Sequence, residues 1–110
     1  MVQYDFLDES FGALADPTRR GILQHLGQGP ASVSELAERF EMTLTGIKKH
    51  IHLLEGAGMV VTEKRGRVRY CRLGANVFDR ELAWMQEHRR MVEARMDRLG
   101  EFLERTEHDQ

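Results

Sequence analysis

Residues 43–58 read TLTGIKKHIHLLEGAG, and the fold turns on them. A hydroxyl residue opens the run and a glycine follows its end, the usual start and stop of a helix. At about 100° per residue, Leu44, Ile47, Ile51 and Leu54 share one arc, which is expected to pack against neighbouring helices. Thr45, Lys49, His52 and Gly56 lie opposite, with Lys48 beside them, and Glu55 is the only acid. A short helix that carries its cations as far from the core as it can is built to meet something negative.

Upstream, SVSELAERF reads as a partner helix. Ser32 and Glu35 have the S-x-x-E spacing of a capping box, and Val33, Leu36, Ala37 and Phe40 recur at helical steps. Glu41 and Met42 break the pattern before Thr43. Two short helices joined by so few residues outline a helix-turn-helix over 34–56. Further back, Asp16 caps a helix that starts with Pro17, carries Ile22, Leu23 and Leu26, and ends at Gly27, Gly29 and Pro30. A first helix over 1–15, strongest over 3–15, places Phe6, Leu7, Phe11 and Leu14 on one side.

Downstream the period changes from helical to alternating. MVVTEK and VRYCRL are β-rich and flank Arg65-Gly66-Arg67, where glycine supplies the positive φ of a tight hairpin. The hairpin, 59–73, carries Lys64, Arg65, Arg67 and Arg69 at its far end, so it projects as a wing. From Asn76 the chain reads as one long helix, 76–107, of about 45 Å. Phe78, Leu82, Met85, Val92, Met96, Leu99 and Leu103 recur at steps of three and four, and Arg89 interrupts them. A second stripe holds Trp84, Met91 and Phe102. The expected fold is mostly α with a small β-hairpin, a single domain over 1–110.

Charge is unevenly spread. The net value is −2. Residues 43–73 alone hold 7 basic and 2 acidic side chains, while the segments on either side are acidic. A polyanion responds to the local field, so the low overall pI does not argue against nucleic acid. No apolar run is long enough for a membrane span and no apolar leader opens the sequence, which points to the cytoplasm and to no membrane partner. Cys71 is the only cysteine and has no partner within the chain. No Gly-rich phosphate loop, catalytic Cys/His spacing or G-x-S-x-G occurs, so no catalytic residue is assigned and an enzyme is not expected.

The major groove of B-DNA admits one α-helix, and in helix-turn-helix proteins the second helix enters it by its N-terminal half. Here that half offers Thr43, Thr45, Lys48 and Lys49, with His50 and His52 behind them. His50 flanks the apolar arc and is at least as well suited to a partly buried structural role. Arg65, Arg67 and Arg69, with Lys64, would hold the flanking backbone. The basic helix alone, or the basic hairpin alone, has a plainer account as solvated surface. In this order they form one continuous footprint for double-stranded DNA.

LADPTRRGILQHL followed by SVSELAERFEMTLTGIKKHIHLLEGAGMVVTEKRGRVRYCRL, residues 14–73, resembles the ArsR-type winged helix-turn-helix repressors. D-P-T-R-R, K-x-H-I-x-x-L-x-x-A-G-M and R-G-R-x-x-Y carry the likeness. It implies a homodimer bound to a pseudo-palindromic operator and released by a signal. It also implies that the first and last helices, 1–15 and 76–107, make the dimer contact, through Phe6, Phe11, Met85, Val92, Met96, Leu99 and Leu103. His50 matches a common histidine of the family. Leu44, Thr45 and Gly46 stand where relatives often carry Gln, Pro and Ala, so base preference does not transfer. Metal-sensing members place cysteines on the third helix, or an Asp/His pair followed by His and Glu on the last. This chain has neither, so no metal site and no cofactor are assigned, and the helix around Trp84 resembles the metal-independent branch. The effector is unknown. Two alternatives accompany this reading: a winged-helix module for protein–protein interaction, and the same repressor with a Cys71 thiol switch.

Overall fold

The computed structural model describes residues 5–108. The chain runs α1 (Asp5–Leu14), α2 (Pro17–Leu26), β1 (Ala31–Ser32), α3 (Val33–Arg39), α4 (Leu44–Gly56), β2 (Val60–Arg65), β3 (Val68–Leu73) and α5 (Asp79–His108). Of the described residues, 5–78 form one unit and 79–108 a second, each a compact body of its own. Residues 1–4 of the predicted first helix lie outside the described residues.

In the first unit, caps set the helix starts as the sequence implies. Asp16 accepts from the Arg19 N–H, Ser32 from Glu35 and Thr43 from Gly46, each at 3.0 Å. Two helix ends share one geometry. At the end of α3 the Met42 N–H reaches the Ala37 carbonyl at 2.9 Å and the Glu41 N–H reaches Glu38 at 3.2 Å. After α4, Met59 reaches Leu54 at 3.0 Å and Gly58 reaches Glu55 at 2.9 Å. Both ends need a left-handed residue. Gly58 supplies it at φ 74, and Glu41 supplies it at φ 53. The second case is costly for a residue with a Cβ, and it fixes the turn that aims α4.

Ile22, Leu36, Ile47, Leu54, Met59 and Cys71 are fully buried at the centre of this unit. Leu44 does not join them. It is 49 % exposed, against the expectation that it continues the Ile47–Ile51–Leu54 arc. Met42, from the interhelical turn, packs partly buried against the core instead. Its Cε passes so close beneath the first turn of α4 that a Cβ on Gly46 would stand 3.0 Å from it. Leu44, at the first helical position, is left outside.

The sheet has three strands in the order β1–β3–β2, where the sequence suggests only a hairpin. The added strand is two residues long, Ala31 opposite Cys71 and Ser32 opposite Tyr70. Two residues carry no readable period, and Ser32 already serves as the α3 cap. Between β2 and β3, Arg65 pairs with Val68 across a two-residue loop in which Gly66 has φ 64. Of the two loop residues only Gly66 is left-handed, the φ pattern of a II′ turn.

The second unit is α5. It begins at Asp79, three residues later than the pattern predicts, because Phe78 takes a left-handed φ of 71 and turns the chain there. Within α5, Arg89 pairs with Glu93 at 2.9 Å and Arg90 with Glu87. Trp84 and His88 stack with ring centres 5.2 Å apart.

Candidate nucleic-acid interface

Thr43, Thr45, Lys48, Lys49 and His52 are all exposed on α4. They form a band along its outer side, because Ile47, Ile51 and Leu54 are held in the core. The Thr43 hydroxyl is already committed as acceptor to the helix cap. Its O–H remains available to donate. Leu44 and Leu53, 49 % and 52 % exposed, interrupt the band with apolar surface.

His50 has other partners than the band. Arg19 donates from Nη1 to His50 Nδ1 at 3.1 Å. A guanidinium only donates, so Nδ1 is the acceptor there. The same Arg19 donates to the carbonyls of Ala13, at 2.8 Å, and Gly12, at 3.0 Å. Asp16 stands 3.9 Å from His50. Its carboxyl is held below the usual 3.8, chiefly by the Arg19 backbone N–H and further by the Arg19 guanidinium, against some desolvation. His50 therefore ties α4 to the α1–α2 junction, and its side chain is only 20 % exposed. Sequence reasoning finds the Asp16 cap but not this network, since Arg19 is 31 residues from His50.

The wing is two-sided. Val60, Thr62 and Lys64 on β2 stand opposite Leu73, Cys71 and Arg69 on β3. Val60 and Cys71 are buried at the base, so this face belongs to the core and becomes basic only where the wing projects. There Lys64 lies directly across from Arg69. Like charges in that position repel. Arg69 also donates to Thr62 Oγ1 at 3.0 Å, and Thr62 donates to Glu55 at 2.9 Å, which binds the wing to the end of α4. Arg65 falls on the opposite face and meets Glu63 at 3.4 Å. Both are exposed, so the pair is weak. Arg67 occupies the loop.

Cys71 does not suit a thiol switch. It is fully buried in β3, and burial, with a smaller push from Glu55, raises its thiol to about 11. The reactive thiolate is scarce near neutral pH. Among the described residues no group of three His, Cys, Asp or Glu side chains gathers as ligands, and no helix is long and apolar enough to cross a membrane.

Residues 14–63 match the family model described as a helix-turn-helix domain. The transcriptional repressor SdpR of Bacillus subtilis is 30 % identical over 79 residues, 72 % of this chain and 88 % of SdpR. Among solved structures, an ArsR family transcriptional regulator, RHA00566, is 48 % identical over 84 % of this chain and 97 % of its own, with a TM-score of 0.76. A homodimeric winged helix-turn-helix DNA-binding domain from Mycobacterium bovis, a possible ArsR-family regulator, is 29 % identical over 74 % of this chain and 76 % of its own, at a TM-score of 0.64.

Proposed function

The chain belongs to the ArsR-type winged helix-turn-helix transcriptional regulators, and we propose that it is a homodimeric repressor holding a pseudo-palindromic operator. One observation carries the DNA side of this reading. Lys48 and Lys49 stand exposed on α4, and the wing tied to the end of that helix through Thr62 and Glu55 sets Lys64 and Arg69 opposite each other across the ladder. Cations facing one another weaken a hairpin unless a polyanion comes between them. Thr45, Lys48, Lys49 and His52 then address the major groove, with Thr43 and the free N–H groups of the first turn near phosphate. Lys64, Arg67 and Arg69 meet the flanking backbone, and Arg65 reaches it only by leaving Glu63. His50 is left out of the contact set, because its ring already serves Arg19.

The dimer side rests on surface that is apolar and open. Phe11 on α1 is 38 % exposed, and on α5 Met85, Val92, Met96, Leu99 and Leu103 are 41–63 % exposed. A second copy of the chain is the partner that such a row at heptad steps calls for. Two copies related by a two-fold axis read half-sites about 10 base pairs apart.

The test is enrichment of bound fragments from genomic DNA, followed by anisotropy titrations on the best duplex over a range of salt. Binding is expected to weaken steeply, by roughly 0.9 log units per tenfold rise in salt for each phosphate neutralised. Removing both lysines, Lys48→Ala with Lys49→Ala, is expected to cost about tenfold or more in affinity and to flatten that slope. Unchanged affinity would remove α4 from the interface.

A further inference from the structure

We propose that Leu44 reads a thymine methyl group in each operator half-site, an inference that rests on α4 entering the major groove. The position is the first reason. Leu44 is the first helical residue of α4, between the exposed Thr43 and Thr45, and one turn before Lys48. Residues four apart on a helix are surface neighbours, so Leu44 lies at the edge of the band that would face base edges.

The second reason is that the core has no use for it. Met42 packs against the core with its Cε close to Gly46, and Leu44 is left 49 % exposed among threonines and lysines. It neither caps α4, which Thr43 does, nor completes the buried arc. The third reason is chemical. A base edge in the major groove offers donors and acceptors, and one prominent apolar feature, the C5 methyl of thymine. A leucine carried there cannot pair with the polar positions, and it desolvates any it covers. It therefore favours the methyl and disfavours the C4 amine of cytosine at the same place. The neighbouring lysines grip phosphate or guanine and leave that discrimination to Leu44.

The experiment uses the full chain and the tightest duplex recovered from genomic DNA. Each thymine in one half-site is replaced singly by uracil, which keeps the hydrogen-bonding edge and removes only the methyl. Wild-type protein is expected to lose about fivefold in affinity at one thymine, the worth of one buried methyl group. Leu44→Ala is expected to lose a similar factor on the thymine duplex, to lose nothing more on the uracil duplex, and to keep the wild-type salt slope. Because Leu44 is half exposed, the variant should melt as the wild type does, and a melting curve checks it. If every uracil duplex binds as tightly as its parent, or if Leu44→Ala is as sensitive to uracil as the wild type, the assignment is wrong while DNA binding stands. Failure to bind any duplex at low salt overturns both.

Discussion

Gly21 sits inside α2, where glycine is a poor helix former, and the reason is Phe40. A Cβ at Gly21 would stand 2.7 Å from Phe40 Cε1. Phe40 follows the last residue of α3 and packs, partly buried, against the core. Gly21→Ala gains about 1 kcal/mol of helix propensity. It also forces the ring aside, which for an overpacked site costs about 1–3 kcal/mol. The second effect is larger, so urea unfolding should show the variant less stable by about 1 kcal/mol. Adding Phe40→Leu should recover part of that loss, and the recovery measures the contact. At this scale the sequence is least readable. Phe40 is recognisable as inward-facing, but nothing in the letters brings it to Gly21. Leu44 is the same lesson with the opposite sign: its spacing places it in the core, whereas it is half exposed and Met42, outside the helical pattern, packs against the core. The Arg19–His50 contact is equally silent, since it joins residues far apart in the chain.

Elements are read more easily, because caps and periods are local. Asp16, Ser32 and Thr43 are visible as caps, and Gly58 and Gly66 as left-handed stops, since each acts within four residues. The third strand escapes because two residues have no period, and α5 starts late because Phe78 turns left-handed, where side-chain bulk argues against it. The wing shows what register adds. The sequence groups its cations, whereas the ladder puts Lys64 and Arg69 on one face and Arg65 on the other. That pairing makes a prediction with two opposite readouts. Lys64→Glu turns a repulsive cross-strand pair into an attractive one and should stabilise the fold by about 0.2–1 kcal/mol in thermal melts. The same change removes a cation from the proposed DNA face and adds an anion, so operator affinity should fall. A rise in both would leave the wing a structural ribbon with no DNA role.

For the whole molecule α5 matters most, since most of its apolar surface is exposed. Leu82, Met85, Val92, Met96, Leu99 and Leu103 fall at alternating steps of three and four, and Arg89 occupies the one position needed to make the series continuous. That is the spacing of a two-stranded coiled-coil seam with a single charged residue in it. Arg89 is paired with Glu93 on its own helix, at 2.9 Å, and its side chain is 81 % exposed. If a second copy closes over this row, two arginines approach the seam and must be carried out by their stems to stay hydrated. Such a residue lowers stability and restricts register, because other alignments would set it against leucine or methionine. Arg89→Leu should therefore tighten the dimer, lowering its dissociation constant at least about tenfold in sedimentation equilibrium, since one more apolar layer is buried on each copy. The gain should come with loss of definition, seen as species larger than a dimer or as poorer discrimination between operator spacings. Arg89→Glu should instead leave two unmatched acids and favour the monomer. Dimer dissociation that ignores both substitutions would place the two-fold contact away from this row, and the exposed leucines of α5 would then need another partner.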